Sequence, residues 1–299
     1  MFISTEPSSS TPAGRSETDH AETEEAAFRT QGRLQALVSD LREMLHEQVE
    51  FRDLLLRMTQ RDLLLRYKQT LMGFAWAVFM PLVNTFVFSV IFTRVAPLNT
   101  GLPYPLFAYS GLLFWNFFAS TLKFSATSLT SNSNLVTKIY FPREIFPFSA
   151  VLVSLFDLAV GGVLLVGLMI WYKVPITAAL LFFPVILLVQ TIFTAAMSLL
   201  LSMANLFYRD IKYLFEIVLS VWMLGTSVVY PVDFIGGWLG KIFLLNPLTP
   251  IIDAYRSVLL RGEMPAAWPF TLATLFSVAC LLVFWVMFHR AEFKFAENI

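Results

Sequence analysis

The sequence predicts an all-α polytopic membrane protein. Six transmembrane helices are expected, with an amphipathic interface helix ahead of the first and re-entrant gate helices on the periplasmic side between the fifth and sixth. Three observations lead there. Of the 299 residues, 57% are hydrophobic and only 14% charged, where a soluble domain of this size carries about 25%. The charged residues are confined between long apolar runs, the pattern of a chain that crosses a bilayer repeatedly. And residues 61–93 pass from a basic, Leu-rich stretch directly into an uncharged run of about twenty residues, enough to span the hydrocarbon core as a helix.

Residues 1–50 form a separate segment, a polar cytoplasmic tail rich in Ser, Thr, Glu and Ala. It has no hydrophobic core of a signal peptide. Its first part, to about residue 30, buries too little apolar surface to offset the entropy of ordering and is expected to be disordered. Residues 31–50 can form a polar helix. Residues 51–70 follow as the interface helix. RDLLLR occurs twice, at Arg52 and Arg61; an offset of nine residues turns the second copy to the opposite helix face, so this is not a coiled-coil repeat. Phe51, Leu54, Leu55, Met58 and Leu65 share one face, which Asp62 interrupts. Two readings fit: a membrane-surface anchor with snorkelling arginines, or an interfacial helix that also meets a cytoplasmic partner.

The membrane domain occupies 71–299. Its expected spans are residues 74–93, 106–129, 145–172, 177–204, 213–230 and 267–288, each able to cross about 30 Å of hydrocarbon with some tilt. Between the last two lie apolar pieces at 234–245 and 251–260, broken by Asn246-Pro247 and Pro250. Each is too short to span, and proline interrupts the helix, so a re-entrant pair is expected. A single kinked seventh span is the alternative; it would place His289, Arg290 and Lys294 outside. With six spans the inner cations are Arg52, Arg57, Arg61, Arg66, Lys68, Lys123, Lys138, Arg143, Arg209, Lys212, Arg290 and Lys294, against Arg94, Lys173, Lys241, Arg256 and Arg261 outside. That bias places both termini in the cytoplasm.

The composition limits the chemistry. Formal net charge is zero, which gives no electrostatic basis for nucleic acid binding. Cys280 is the single cysteine, and His20, His46 and His289 are scattered without metal-ligand spacing. No Walker A loop is present, nor a Ser-His-Asp or paired-carboxylate arrangement, so neither a catalytic nor a metal residue is expected. Asp157 lies within the third span, where acids face protein or a water-filled path. It is read as either a transport residue or a structural hydrogen-bond acceptor for a neighbouring Ser or Trp, with no matching base in the spans. Gly161, Gly162 and Gly167 on the same helix favour close helix packing.

The loop after the second span, TSNSNLVTKIYFPREIFP, is cytoplasmic by the charge rule. A short helix-capable core, Asn134 to Tyr140, is followed by Pro142 and Pro147 as breakers. Leu135, Val136, Ile139, Tyr140 and Phe141, if exposed beside Lys138 and Arg143, make a docking knob; otherwise the loop is a turn resting on headgroups. Four blocks then occur in order: RDLLLRYKQTLMGFAW at 61–76 with Pro81, SNSNLVTKIYFPR at 131–143, NLFYRD at 205–210 and NPLTPIIDAYR at 246–256. Together they closely resemble the ABC-2 type permeases of polysaccharide export, which include the O-antigen, capsule and teichoic acid permeases. The resemblance runs from about residue 55 to the C-terminus and leaves the tail outside it.

The resemblance implies roles. Residues 51–68, with Arg61 and Arg66, would meet the ATPase. Residues 131–143 would be a coupling helix seated in a cleft of that ATPase, with Asn134, Leu135, Lys138, Tyr140, Phe141 and Arg143 as contacts. The broken helices would form a periplasmic gate, with Trp238, Asn246, Pro247, Pro250 and Tyr255. Trp76, Phe79, Phe86, Trp222 and Tyr230 would line a sugar channel, since sugar rings stack on aromatic faces; an aromatic stripe in a membrane also serves lipid contact and helix packing. The expected function is the permease subunit of an ABC exporter in the bacterial inner membrane, moving a lipid-linked polysaccharide out of the cytoplasm. It would work as a homodimer with a separate nucleotide-binding subunit, which would hold the ATP and Mg; no cofactor is expected in this chain. The rival readings are an ABC-2 exporter of a drug or small lipid, and a membrane enzyme acting on lipid-linked sugars. Asp233, Asp253 and Glu263 are the acids available to the latter.

Overall fold

The computed structural model describes residues 42, 44, 46–68, 73–95, 97–98, 100–138, 141–231, 246–292 and 295. The chain divides into two compact units, Met1–Glu47 and Gln48–Ile299. In the first, the described residues are helical, and the expectation of a disordered tail lies outside them. All that follows concerns the second unit.

Every regular element among the described residues is a helix. In chain order these are α1 (Arg52–Tyr67), α2 (Trp76–Val90), α3 (Tyr104–Ser131), α4 (Ser133–Lys138), α5 (Ile145–Trp171), α6 (Phe183–Phe207), α7 (Ile211–Leu224), α8 (Leu248–Arg256) and α9 (Ala267–Ala291). A π turn, Ile91–Val95, extends α2, and another, Ser257–Arg261, extends α8. Prolines mark the helix entries: Pro103 precedes α3, and prolines fall in the first turns of α3, α5, α6, α8 and α9. There they remove no intrahelical hydrogen bond. Pro81 is different; it sits inside α2, where the missing N–H leaves a carbonyl unpaired. At Gly262 the backbone is left-handed, φ 73°, and a β-carbon would stand 2.7 Å from Thr177 Cγ2, so glycine alone fits the turn that ends the second π segment.

Four helices are long and apolar enough to cross a membrane: Val78–Val95, Ile145–Trp171, Ala178–Phe207 and Ala267–Ala291. The expected second and fifth spans are not among them. Helix α3 has the length, 28 residues, but carries Asn116, Lys123 and a run of Ser and Thr. Helix α7 has only 14 residues and gives way to turns at residues 225–230. The reason for α3 is its position. It packs against α2, α5, α6, α7 and α8, and eighteen of its residues are buried. A helix surrounded by protein can carry hydroxyls that lipid would not tolerate. Tyr109 donates to Gly161 O at 2.8 Å, Ser125 to Ser198 O at 2.8 Å, and its own carbonyls accept from Gln190 (Phe114 O, 2.8 Å) and Asn205 (Ala126 O, 2.7 Å). Aromatic packing fills the rest: Phe114 stacks on Tyr255 of α8 at 3.5 Å and 3°.

Candidate functional site

The last turn of α1 does not stay on the surface. Phe51, Leu54, Leu55 and Met58 pack on Val136, Phe141, Ile145, Phe288 and Phe295, which draws α1 against α5. Leu65, expected on that apolar face, is instead exposed, because the polar residues between turn α1 the other way. Asp62 accepts from Ser149 at 2.9 Å, and Arg61 bonds both Asp62 at 2.7 Å and Asn132 at 2.9 Å. One turn later Arg66 Nη1 lies 2.6 Å from Asp157 Oδ2, and the Tyr67 hydroxyl donates to Asp157 Oδ1. Burial, then Asp157, push the Tyr67 hydroxyl above its ordinary pKa, so it stays a donor. One expectation is corrected here: Asp157 is met by a cation and a phenol from α1, not by a Ser or Trp. Arg66, expected among the ATPase contacts, faces an acid of the membrane domain.

This cluster stands at one side of an open cleft of about 430 Å³ between α1, α2, α3 and α5. Its wall combines Trp76 and Met80 with Asn84, Asn116, Ser120, Ser154 and Lys123. Apolar rings and neutral hydrogen-bonding groups together suit a hydroxyl-bearing ligand. Trp76 and Phe79, expected in a channel, lie edge-to-face at 5.7 Å on α2; both are partly exposed, and Phe86 is exposed further along the helix. Trp222 is half-buried, edge-on to Phe118 at 5.2 Å and donating to Asn246 at 3.0 Å. The Tyr230 hydroxyl donates to Leu224 O.

The loop between α3 and α5 is partly inverted relative to expectation. Asn134 on α4 is exposed and Leu135 half-buried, but Val136 and Phe141 are buried, since they complete the cluster that holds α1. Arg143 is also turned inward: it donates to Val136 O at 3.2 Å and to Glu292 O, with the Glu292 carboxylate 3.9 Å away. Behind it, fully buried Glu144 meets His289 at 3.3 Å. Burial first, then Glu144, push Glu292 up to about 7. This tie between the loop and the end of α9 was missed from the sequence; charged residues at the edges of two expected spans were its only signal. The backbone of Lys138 ends α4, and Tyr140 lies outside the described residues.

The segment from Asn246 is interior. The Asn246 side chain accepts from Trp222 and from Leu248 N at 3.1 Å, and donates to Gly225 O at 3.1 Å and Thr226 Oγ1 at 2.7 Å. Pro247 caps α8 and Pro250 lies in its first turn. Tyr255 is fully buried against Phe114. Arg256, counted outside from the sequence, is 1% exposed. It lies 3.7 Å over the Phe107 ring and donates to Ser227 O and Val228 O, the latter at 2.5 Å. Trp238 lies outside the described residues.

The sequence pattern of the ABC-2 type transporter family matches residues 53–260. An O-antigen export system permease protein RfbA of Myxococcus xanthus is 29% identical over 259 residues, 86% of this chain and 99% of that protein. Two proteins of the same name from Klebsiella pneumoniae are each 29% identical over 247 residues, 82% of this chain and 94% of theirs.

Proposed function

The chain belongs to the ABC-2 type transporter family, and on that premise we propose that it is the permease of a polysaccharide exporter. In this reading it carries a lipid-linked polymer of the O-antigen, capsule or teichoic acid type from the cytoplasm across the inner membrane. Nucleotide is bound and hydrolysed by a separate ABC subunit, and two copies of the permease make the conduit. The observation that carries the reading is the near-complete alignment with permeases named for O-antigen export. The cleft of polar groups beside Trp76 supports it chemically.

The proposal includes six crossings with both termini in the cytoplasm. Helix α3 supplies the second; 28 residues reach about 42 Å at 1.5 Å each. Helix α7 supplies the first part of the fifth. The unwound turns that follow need partners for their carbonyls, and Arg256 provides them at residues 227 and 228. The exposed tip of α4 at Asn134 and the outer face of α1 would receive the ATPase. The segment from 231 to 261 would close the periplasmic end.

Two measurements test this. Deleting the gene should remove the surface polymer, seen on silver-stained gels, and restoring the chain should return it. Asn134→Arg with Leu135→Asp should abolish co-purification of the nucleotide-binding subunit from native membranes. An unchanged surface polymer in the deletion strain would sink the export reading.

A further inference from the structure

The open cleft beside Asp157 has a neighbour. A second cavity of about 310 Å³ lies between α1, α3 and α5, lined by Asp62, Ser128, Ser131, Asn132 and Phe124 among others. Arg66 lines both cavities. Its guanidinium lies 4.0 Å over the Phe124 ring on one side and 2.6 Å from Asp157 on the other. The side chain therefore fills the space between a residue of α3 and a residue of α5.

The contact with Asp157 is close but poorly aligned; neither Arg66 Nη1 nor Asp157 Oδ2 completes a hydrogen bond. Charge proximity holds the pair, not directional bonding, which is the weaker arrangement. Asp157 keeps the Tyr67 hydroxyl as a second partner on its other oxygen, so moving Arg66 does not strand the carboxylate. Charge adds a second element. Arg66 cancels Asp157 and, at the second cavity, Arg61 cancels Asp62, while Lys123, on the first cavity's wall, forms no ion pair among the described residues. The space is left with a surplus positive charge, and a surplus charge in a cleft with apolar walls draws in ions of the opposite sign. Hydroxyls and amides line both sides.

We propose that in each copy the two cavities are halves of one entry passage, distinct from the conduit between the copies, for an anionic, hydroxyl-bearing chain, and that the Arg66 side chain is the partition between them. The partition is closed while the guanidinium lies between Phe124 and Asp157. It opens when the guanidinium turns to a phosphate or carboxylate of the entering ligand, which replaces Asp157 as its partner. Lys123 sets the preference for that anion. This rests on the export reading above for the identity of the chain, but not for the geometry.

The test uses the full-length permease in nanodiscs, with Cys280→Ser and Ser154→Cys as a buried reporter in the first cavity. Its labelling rate is measured with an anionic sulfonatoethyl and a cationic trimethylammonioethyl methanethiosulfonate. Asp157→Asn should raise the anionic rate about tenfold, the factor expected from losing one charged contact. Phe124→Ala removes the other side of the partition and should do the same. Lys123→Gln should lower the anionic-to-cationic rate ratio about tenfold, with the melting temperature unchanged. Farnesyl diphosphate and inorganic pyrophosphate, added separately, distinguish the source of the anion: slowing by both indicates any diphosphate, and slowing by the lipid alone indicates a lipid-borne headgroup. Slowing by neither overturns the anion preference. Rates unchanged in both Asp157→Asn and Phe124→Ala, in folded protein, overturn the partition. Loss of that partition with export intact leaves the export reading standing, and the converse result removes the export reading alone.

Discussion

Gly111 on α3 offers a direct measure of how tightly the Arg256 site is built. A β-carbon at this position would fall well inside van der Waals contact of Val228 O and Arg256 Nη2, and 3.0 Å from Val228 C. Two of those atoms are backbone, which cannot rotate away. The Val228 carbonyl is also the acceptor of the 2.5 Å bond from Arg256. Gly111→Ala must therefore displace the acceptor and the donor of one bond together. Overpacking costs about 1–3 kcal/mol, and loss of a bond to a charged group costs about 1.5–3 kcal/mol. Opposing these, Ala is favoured over Gly in a helix by about 1 kcal/mol. The net loss is about 1.5–5 kcal/mol, a drop of roughly 2–8 °C in melting temperature for a chain of this size. Thermal unfolding of the purified permease in detergent reads it. In an Arg256→Met background the same substitution should lose only the overpacking part, so the two changes should couple in a double-mutant cycle. A Gly111→Ala protein that melts with the native one would refute the packing argument.

Asn246→Ala leaves Trp222 Nε1 and the carbonyl of Gly225 without their partner and should lower stability by about 2–4 kcal/mol in the same assay; Asn246→Asp keeps the acceptor and should lose less. Glu292 tests the tie to the α3–α5 loop by pH. Its carboxyl is raised to about 7 in the fold, so the native state holds its proton between about pH 4.5 and 7 while the unfolded chain has released it. Stability therefore falls as pH rises through that window and levels off above it. Glu292→Gln should flatten this slope between pH 5 and 7; an equal slope in variant and native would assign it to another group.

The parts of the fold that follow one rule were legible in the sequence. Helices α2, α5, α6 and α9 are long apolar runs with at most one Asp, Glu, Lys or Arg each. Helix α3 carries a span's length with a soluble helix's hydroxyls, because its surroundings are other helices, and hydropathy reports lipid contact. Helix α7 can stop short because the carbonyls of the turns after it, at Ser227 and Val228, are met by Arg256 of α8, a partner that no local pattern announces. The site followed the same division. The resemblance pointed to Trp76 and Asn246; the first stands on the cleft wall and the second accepts from Trp222. The resemblance put Arg66 among the ATPase contacts; its contact with Asp157 depends on the packing of Phe51, Leu54, Leu55 and Met58 on the cluster around Ile145, which no local pattern announces. The inward turn of Arg143 depends on Glu292, near the other end of the chain.

The placement of α3 bears on how the protein is made. It leaves the ribosome ahead of nearly every group that completes it. The acceptors for Tyr109 and Ser125 lie on α5 and α6, and the amides that meet its own carbonyls lie on α6. Until those segments are synthesised, α3 is a helix with open hydroxyls and a lysine facing lipid or the walls of the insertion machinery. With the six crossings proposed above, α3 is expected to stay at that machinery until α5 and α6 arrive, and the membrane domain to mature as a group of helices released together and not one span at a time.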